Sequence, residues 1–213
     1  MKWMRIALVL TVVTALPMFA ADRTFDLTGW AARVDTNSDG TFTAPSAGPP
    51  FRMSFNGRTG YGIGANIFFG DHTSLSLDAV QVRPGTVVRS RAVGGGGFTN
   101  GMRMTPLTAV LQWHFAPHGG IDPYIGAGAA YVLFDDANVF GTVDVNRVKF
   151  KDDAGLALNT GLSFRLTRMF ALTADGKYVP LKSSATAVFT NGSSSSKVKI
   201  NPVIFSGGLT LRF

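Results

Sequence analysis

The chain has 213 residues, 46% of them apolar and only 15% charged, with 25 Gly, 17 Phe, no Cys and a formal net charge of +7. That balance excludes a disordered chain, which carries fewer aromatics and more charge, and a disulfide scaffold, which needs cysteines. The Lys and Arg residues never cluster into long runs, so no nucleic-acid partner is expected, and a mean hydropathy of +0.19 coexists with no later apolar stretch of about 18 residues that could cross a bilayer as a helix.

Residues 1–20 read as a secretory signal peptide. Lys2 and Arg5 precede the apolar segment 6–16, Pro17 breaks it, and Ala20 and Ala21 offer small residues for cleavage after either one. The site is imperfect, because Met18 or Phe19 stands where a small residue is favoured. An interfacial anchor helix is the alternative reading of the same pattern. Cleavage removes Lys2 and Arg5 and leaves 21–213 as the exported part. The absence of Cys is compatible with an oxidising compartment.

The exported part alternates between apolar and small or polar residues in segments separated by turn chemistry. Strands are expected near 24–34, 59–70, 73–82, 105–115, 123–134, 154–166, 169–180 and 202–213. The connections differ in length: long at 35–58, 83–104, 135–153 and 181–201, modest at 116–122, and short at Gly70-Asp71-His72 and Thr167-Arg168. Long and short connections in turn along an antiparallel meander place all the long ones at one end. That is the asymmetry of a transmembrane β-barrel, whose strands need about 9–11 tilted residues to cross. An all-β, eight-stranded antiparallel transmembrane barrel is therefore expected.

Parity divides each strand into two faces. In 59–70, Tyr61, Ile63, Ala65, Ile67 and Phe69 oppose Gly60, Gly62, Gly64, Asn66 and Phe68. In 154–166, Leu156, Leu158, Leu162, Phe164 and Leu166 oppose Gly155, Ala157, Asn159, Gly161, Ser163 and Arg165. The charges Asp26, Asp78, Arg165, Asp175, Lys177 and Arg212 all fall on the second face. A soluble barrel shows the same alternation with its apolar face inward. The aromatics decide between the two. Phe25, Phe69, Trp113, Phe115, Phe164, Phe170 and Phe213 lie on the apolar parity near the short turns, and Tyr61, Tyr131 and Tyr178 lie on it near the long connections. Two aromatic rings bracketing an aliphatic band are the girdles of an outer-membrane barrel, so the apolar face is expected to meet lipid.

The stretch Pro106–Phe115, PLTAVLQWHF, followed by Ile121–Tyr131, IDPYIGAGAAY, resembles successive QYHF and PYVGAGxxY strands of the outer membrane protein W (OmpW/AlkL) family. Residues 155–182 resemble the sixth and seventh strands of that family, and 201–213 its closing strand. The likeness covers most of 105–213 and weakens toward the N-terminal half. It implies a small barrel in the outer membrane of a Gram-negative bacterium with a narrow hydrophobic channel. It also implies passage of small hydrophobic ligands with release sideways into the membrane lipid, and some members serve as colicin receptors. The ending Ser206-x-Gly208-x-x-Leu211-x-Phe213 fits the signal read by the barrel assembly machinery.

An eight-stranded barrel is just wide enough for side chains to fill. Trp30, Asn66, Asp78, Gln112, His114, Asn159, Asp175 and Lys177 are expected to line it, with small residues such as Gly60, Gly62, Gly64, Gly126 and Gly161 leaving space. Trp30 breaks the inner-face pattern, and either forms an apolar constriction or is turned outward by a bulge. Asp26 and Arg212 face each other if the first and last strands close the barrel. With Arg165 they form either a plug at the periplasmic end or ordinary internal ion pairs.

Other motifs fall short of chemistry. Residues 35–40 match half a calcium loop, but Ser46 stands where a bidentate Glu is needed. His72, His114 and His118 lack metal-ligand spacing. Asn191-Gly-Ser193 reads as a loop, and Gly94–Gly97 lacks the Lys-Ser/Thr of a phosphate loop. No metal and no cofactor is called for. Three functions compete: a passive channel for small hydrophobic molecules, a structural or adhesive barrel with a filled core and working loops, and a lipid-modifying enzyme. The last needs a Ser/His pair, and His114, assigned inward, has no obvious serine partner in the sequence. No enzymatic activity is therefore expected. The remaining net charge looks scattered between lumen and loops.

Overall fold

A computed structural model describes residues 24–36, 39–42, 51–83, 85–90, 96–99, 103–135, 137–141, 145–189 and 192–213. The expected leader at 1–20 with its cleavage site, Ser46, Gly94 and Asn191 lie outside the described residues.

Among the described residues sixteen strands follow in chain order: β1 Phe25–Thr36, β2 Asp39–Phe42, β3 Phe51–Asn56, β4 Arg58–Phe68, β5 Thr73–Val82, β6 Gly85–Ser90, β7 Gly96–Thr99 and β8 Met104–His114, then β9 Ile121–Phe134, β10 Ala137–Gly141, β11 Val145–Phe150, β12 Asp153–Arg165, β13 Phe170–Tyr178, β14 Leu181–Phe189, β15 Gly192–Ile200 and β16 Pro202–Arg212. Eight of them close a barrel in the order β1-β16-β13-β12-β9-β8-β5-β4, all antiparallel. These are the eight strands expected from alternation, each end within two residues. The first and last barrel strands close the seam: Thr24 and Phe25 donate backbone N–H groups to the Phe213 carbonyl, and Phe213 donates back to Phe25. Closure pairs the first barrel strand with the last, so neither is left as a free edge strand in the hydrocarbon, where an unpaired backbone group is costly.

The long connections differ from expectation. They carry the other eight strands, which form a second sheet in the order β15-β14-β11-β10-β7-β6-β3-β2. Each of these short strands pairs with a segment from its own or a neighbouring connection, as β10 does with both β7 and β11. Pairs such as β14–β15 are local hairpins, whereas β3–β6, β7–β10 and β11–β14 join different connections, which alternation along one segment does not reveal. At the opposite end the turns are tight: the Thr167 hydroxyl accepts N–H bonds from Met169 and Phe170.

The barrel wall obeys the expected parity. Tyr61, Ile63, Trp113, Phe115, Tyr131, Leu156, Leu158, Leu172, Tyr178, Leu209 and Phe213 are exposed on the outside, as a lipid-facing belt requires. Inside, the wall has two tiers that alternation does not separate. Toward the second sheet the inward side chains are apolar: Val34, Val80, Val82, Met104, Val132, Phe134, Val179, Leu181 and Ile204, all buried. Toward the tight turns they are polar, including Asp26, Ser74, Gln112, His114, Asp122, Ser163, Thr210 and Arg212. Two ladders lapse at the level of the apolar tier. The β5–β8 pairing passes from Ala79↔Leu107 to Val82↔Met104, where Pro106 has no N–H to give. The β12–β13 pairing stops at Leu158↔Tyr178.

Candidate functional site in the barrel lumen

Trp30 settles on the inner face, buried, with no bulge in either of its ladders. The register places it directly between Gly62 and Gly208. Gly208 and Gly64 are what make room for the indole: a Cβ on Gly208 would lie 2.7 Å from Trp30 Cε3, and one on Gly64 2.5 Å from Trp30 Nε1. Gly161 does the same for Tyr124, its register partner, since a Cβ there would collide with the phenol. The inward glycines therefore leave less open space than their size suggests.

From Trp30 a continuous polar chain crosses the lumen. Trp30 Nε1 donates to Asp78 Oδ1 at 2.9 Å, and Ser76 donates to Asp78 Oδ2 at 2.8 Å. Lys177 Nζ lies 3.3 Å from Asp78 Oδ2 and 2.5 Å from Asp175 Oδ1, and 5.5 Å from the Trp30 ring centroid. Asp175 also accepts from Tyr124 Oη at 2.8 Å and Asn159 Nδ2 at 2.5 Å, while Gln112 Nε2 donates to Asn159 Oδ1 at 2.7 Å. Lys177 is only 3% exposed, so its charge is tolerable only because two carboxylates hold it. Six of the eight expected lining residues, Trp30, Asp78, Gln112, Asn159, Asp175 and Lys177, thus form one network. Asn66 is half-buried on the same wall.

His114, the last of the eight, belongs to a neighbouring group. Its Nδ1 donates to Asp122 Oδ2 at 2.8 Å, and Ser74 Oγ lies 3.0 Å from its Nε2. The expectation that His114 lacks a serine partner is therefore corrected: Ser74 reaches it from β5, a strand distant in the chain. The three groups have the order of a nucleophile, base and orienting acid. Ser74 is 0% exposed, however, and donates its proton to Gln112 Oε1 at 3.2 Å. No substrate carbonyl can approach it, and the trio serves as a cross-brace between β5, β8 and β9. Asp122 lies one residue ahead of the strand expected from 123, on the inward parity of Tyr124. The alternation carried back from Tyr124 is the signal that locates it.

Asp26 and Arg212 stand directly opposite in the β1–β16 register, both buried, and Arg212 Nη2 donates to Ser163 Oγ at 2.6 Å. Arg165 does not join them. It is exposed at the end of β12 and donates to the carbonyls of His118 and Gly119, the latter at 2.6 Å. The open carbonyls of the 115–120 turn draw the guanidinium out of the lumen. Between these groups a cavity of about 10 Å³ remains, bordered by Asp26, Thr28, Asn66, Tyr124, Thr173 and Asp175 among others. That is room for about one water. Of the residues expected to form an assembly signal, Ser206 points inward, Gly208 lies under Trp30, Leu211 is half-buried, and Phe213 sits on the outside 6.1 Å from the Phe25 ring.

Comparison with known proteins gives a consistent result. The model of the OmpW family matches residues 24–213. Outer membrane protein W of Vibrio cholerae serotype O1 is 27% identical over 158 residues, covering 72% of this chain and 73% of that protein. Outer membrane protein AlkL of Ectopseudomonas oleovorans is 26% identical over 165 residues, 70% of each. The crystal structure of outer membrane protein OprG from Pseudomonas aeruginosa superposes with a TM-score of 0.77 at 18% identity, covering 92% of this chain and 98% of that one.

Proposed function

The chain belongs to the OmpW family of Gram-negative outer-membrane barrels, and on that premise we propose that it gives passive passage to small hydrophobic molecules, releasing them sideways into the membrane. The observation that carries this reading is the two-tiered lumen. An apolar neck, Val34, Val80, Val82, Met104, Val132 and Ile204, lies on the side of the second sheet and stands on a polar floor spanned by hydrogen bonds and ion pairs. A hydrophobic solute gains by entering the neck and loses by crossing the floor, where it would separate buried charges from their partners. The two ladder lapses at neck height, beside Pro106 and above Tyr178, are the weakest places in the wall and support a lateral exit. Asp26 and Arg212 act as a plug at the periplasmic end, and Ser206, Gly208, Leu211 and Phe213 as the signal for the barrel assembly machinery. The reading assigns no catalytic residue.

Liposomes with and without the protein test it by the rate of uptake of an alkane or a small aromatic compound. Faster uptake with a closed single-channel ion current is expected, and uptake at the rate of empty liposomes would sink it. A second reading rests on the close packing of the neck, whose side chains are nearly all inaccessible: a structural or adhesive barrel with a filled core, which the same experiment would then favour.

A further inference from the structure

Two hydroxyls at the foot of the neck have nothing to bond to. Thr108 Oγ1 and Ser206 Oγ belong to residues only 5% and 8% exposed and lack a hydrogen-bond partner among the described residues. Buried polar atoms are as a rule paired, because an unpaired one costs free energy. Both residues have inner-face parity, and register fixes their height: Thr108 stands opposite Asp78 on the neighbouring strand, and Ser206 opposite Asp175. Those two carboxylates are joined through Lys177 Nζ. The hydroxyls therefore belong to the same layer, on walls four strands apart in either direction round the barrel. The next inward residues above that layer on these strands are Pro106, Ile204, Val80 and Val179, all buried.

A solute descending the neck first meets polar groups in this layer. The other groups there are already engaged: Trp30 and Ser76 with Asp78, Tyr124 and Asn159 with Asp175, and Lys177 with both carboxylates. Thr108 and Ser206 each hold a donor and an acceptor in reserve. We propose that these hydroxyls are a subsite for the polar end of an uncharged amphiphile, an alcohol, aldehyde or ester whose aliphatic tail fills the neck. The inference rests on the passage reading above and narrows it to a substrate class. A hydroxyl donates to a carbonyl oxygen and accepts from an alcohol, so it serves any of these ends. An alkane leaves it unpaired. A carboxylate would be desolvated in a layer where Asp78 and Asp175 already outnumber the Lys177 ammonium.

The protein is refolded into lipid nanodiscs, which bypasses the part proposed for Ser206 in assembly, and equilibrated at neutral pH with tritiated octanol, octane or octanoate, empty nanodiscs serving as the blank. Thr108→Val/Ser206→Ala should weaken octanol binding about fivefold, the worth of one hydrogen bond, without weakening octane binding. Octanoate should bind wild type more weakly than octanol does, and Thr108→Ser should keep the wild-type affinity. In urea the double variant should unfold at the wild-type midpoint or above it, because the hydroxyls it deletes have no partner in the empty barrel. Thr108→Val alone replaces the double variant if that one does not refold. A lowered midpoint, octanol binding unmoved by the variant, an equal loss for octane, or octanoate bound as tightly as octanol overturns the inference and leaves passage standing. Binding of none of the three ligands overturns the passage reading and the inference with it.

Discussion

Replacing Lys177 by Met keeps most of the length of the side chain and removes the cation that, among the described residues, bridges Asp78 and Asp175. At an effective dielectric of about 20, a pair separated by about 3.3 Å attracts by roughly 5 kcal/mol before desolvation is subtracted. The net loss is smaller, because both acids keep other donors: Trp30 and Ser76 on Asp78, Tyr124 and Asn159 on Asp175. Breaking one partner of a buried pair costs about 3–5 kcal/mol, and the remaining donors favour the lower end, about 3 kcal/mol. Urea unfolding from lipid vesicles, followed by tryptophan fluorescence, measures it as a shift in midpoint at unchanged slope. Adding Asp78→Asn should restore about half the loss, since it removes a carboxylate that Met has left uncompensated, and the double-mutant cycle then shows coupling beyond about 1 kcal/mol. Lys177→Met within 1 kcal/mol of wild type, or zero coupling, would refute the claim that Lys177 holds the floor together.

Three further outcomes follow from the geometry. Ile63, 67% exposed in the middle of β4, faces hydrocarbon, so Ile63→Arg should cost about 2–4 kcal/mol in the same unfolding assay; a change within about 0.5 kcal/mol, normal for a water-exposed site, would argue against the lipid-facing assignment. Gly208→Ala forces a methyl against Trp30 Cε3 and Thr28 Cγ2, at 2.7 and 2.8 Å, and should destabilise by about 1–3 kcal/mol with a shifted Trp30 emission, whereas a neutral effect would mean the indole is free to move. Arg212→Ala removes the partner of Ser163 Oγ and the residue opposite Asp26; single-channel recordings should show a new ion current, and a pore that stays closed would sink the plug.

Most of the fold was legible because a barrel wall repeats one simple rule. A period of two, turn residues between segments and aromatics at both ends of the lipid face are local signals, and Ile63, Trp113, Tyr178 and Phe213 obey them. The inner face obeyed the same rule less informatively. Parity shows that Val132 and Asp175 both point inward, but not that the first belongs to an apolar neck and the second to a polar floor, because height inside a tilted barrel depends on the registers of all the strands together. Arg165 was misplaced for a related reason: at a strand end, the free carbonyls of the adjacent turn outweigh parity.

The amino-acid sequence by itself determined the eight spanning strands, their lipid-facing side and the end at which the long connections gather, since each follows from alternation and composition along a single segment. Only the tertiary structure decided what those connections become, which glycines seat Trp30 and Tyr124, that Ser74 meets His114, and that Lys182 stands opposite Lys199. Each of these depends on cross-strand register, which joins residues far apart in the chain and leaves no trace in the periodicity of either strand alone.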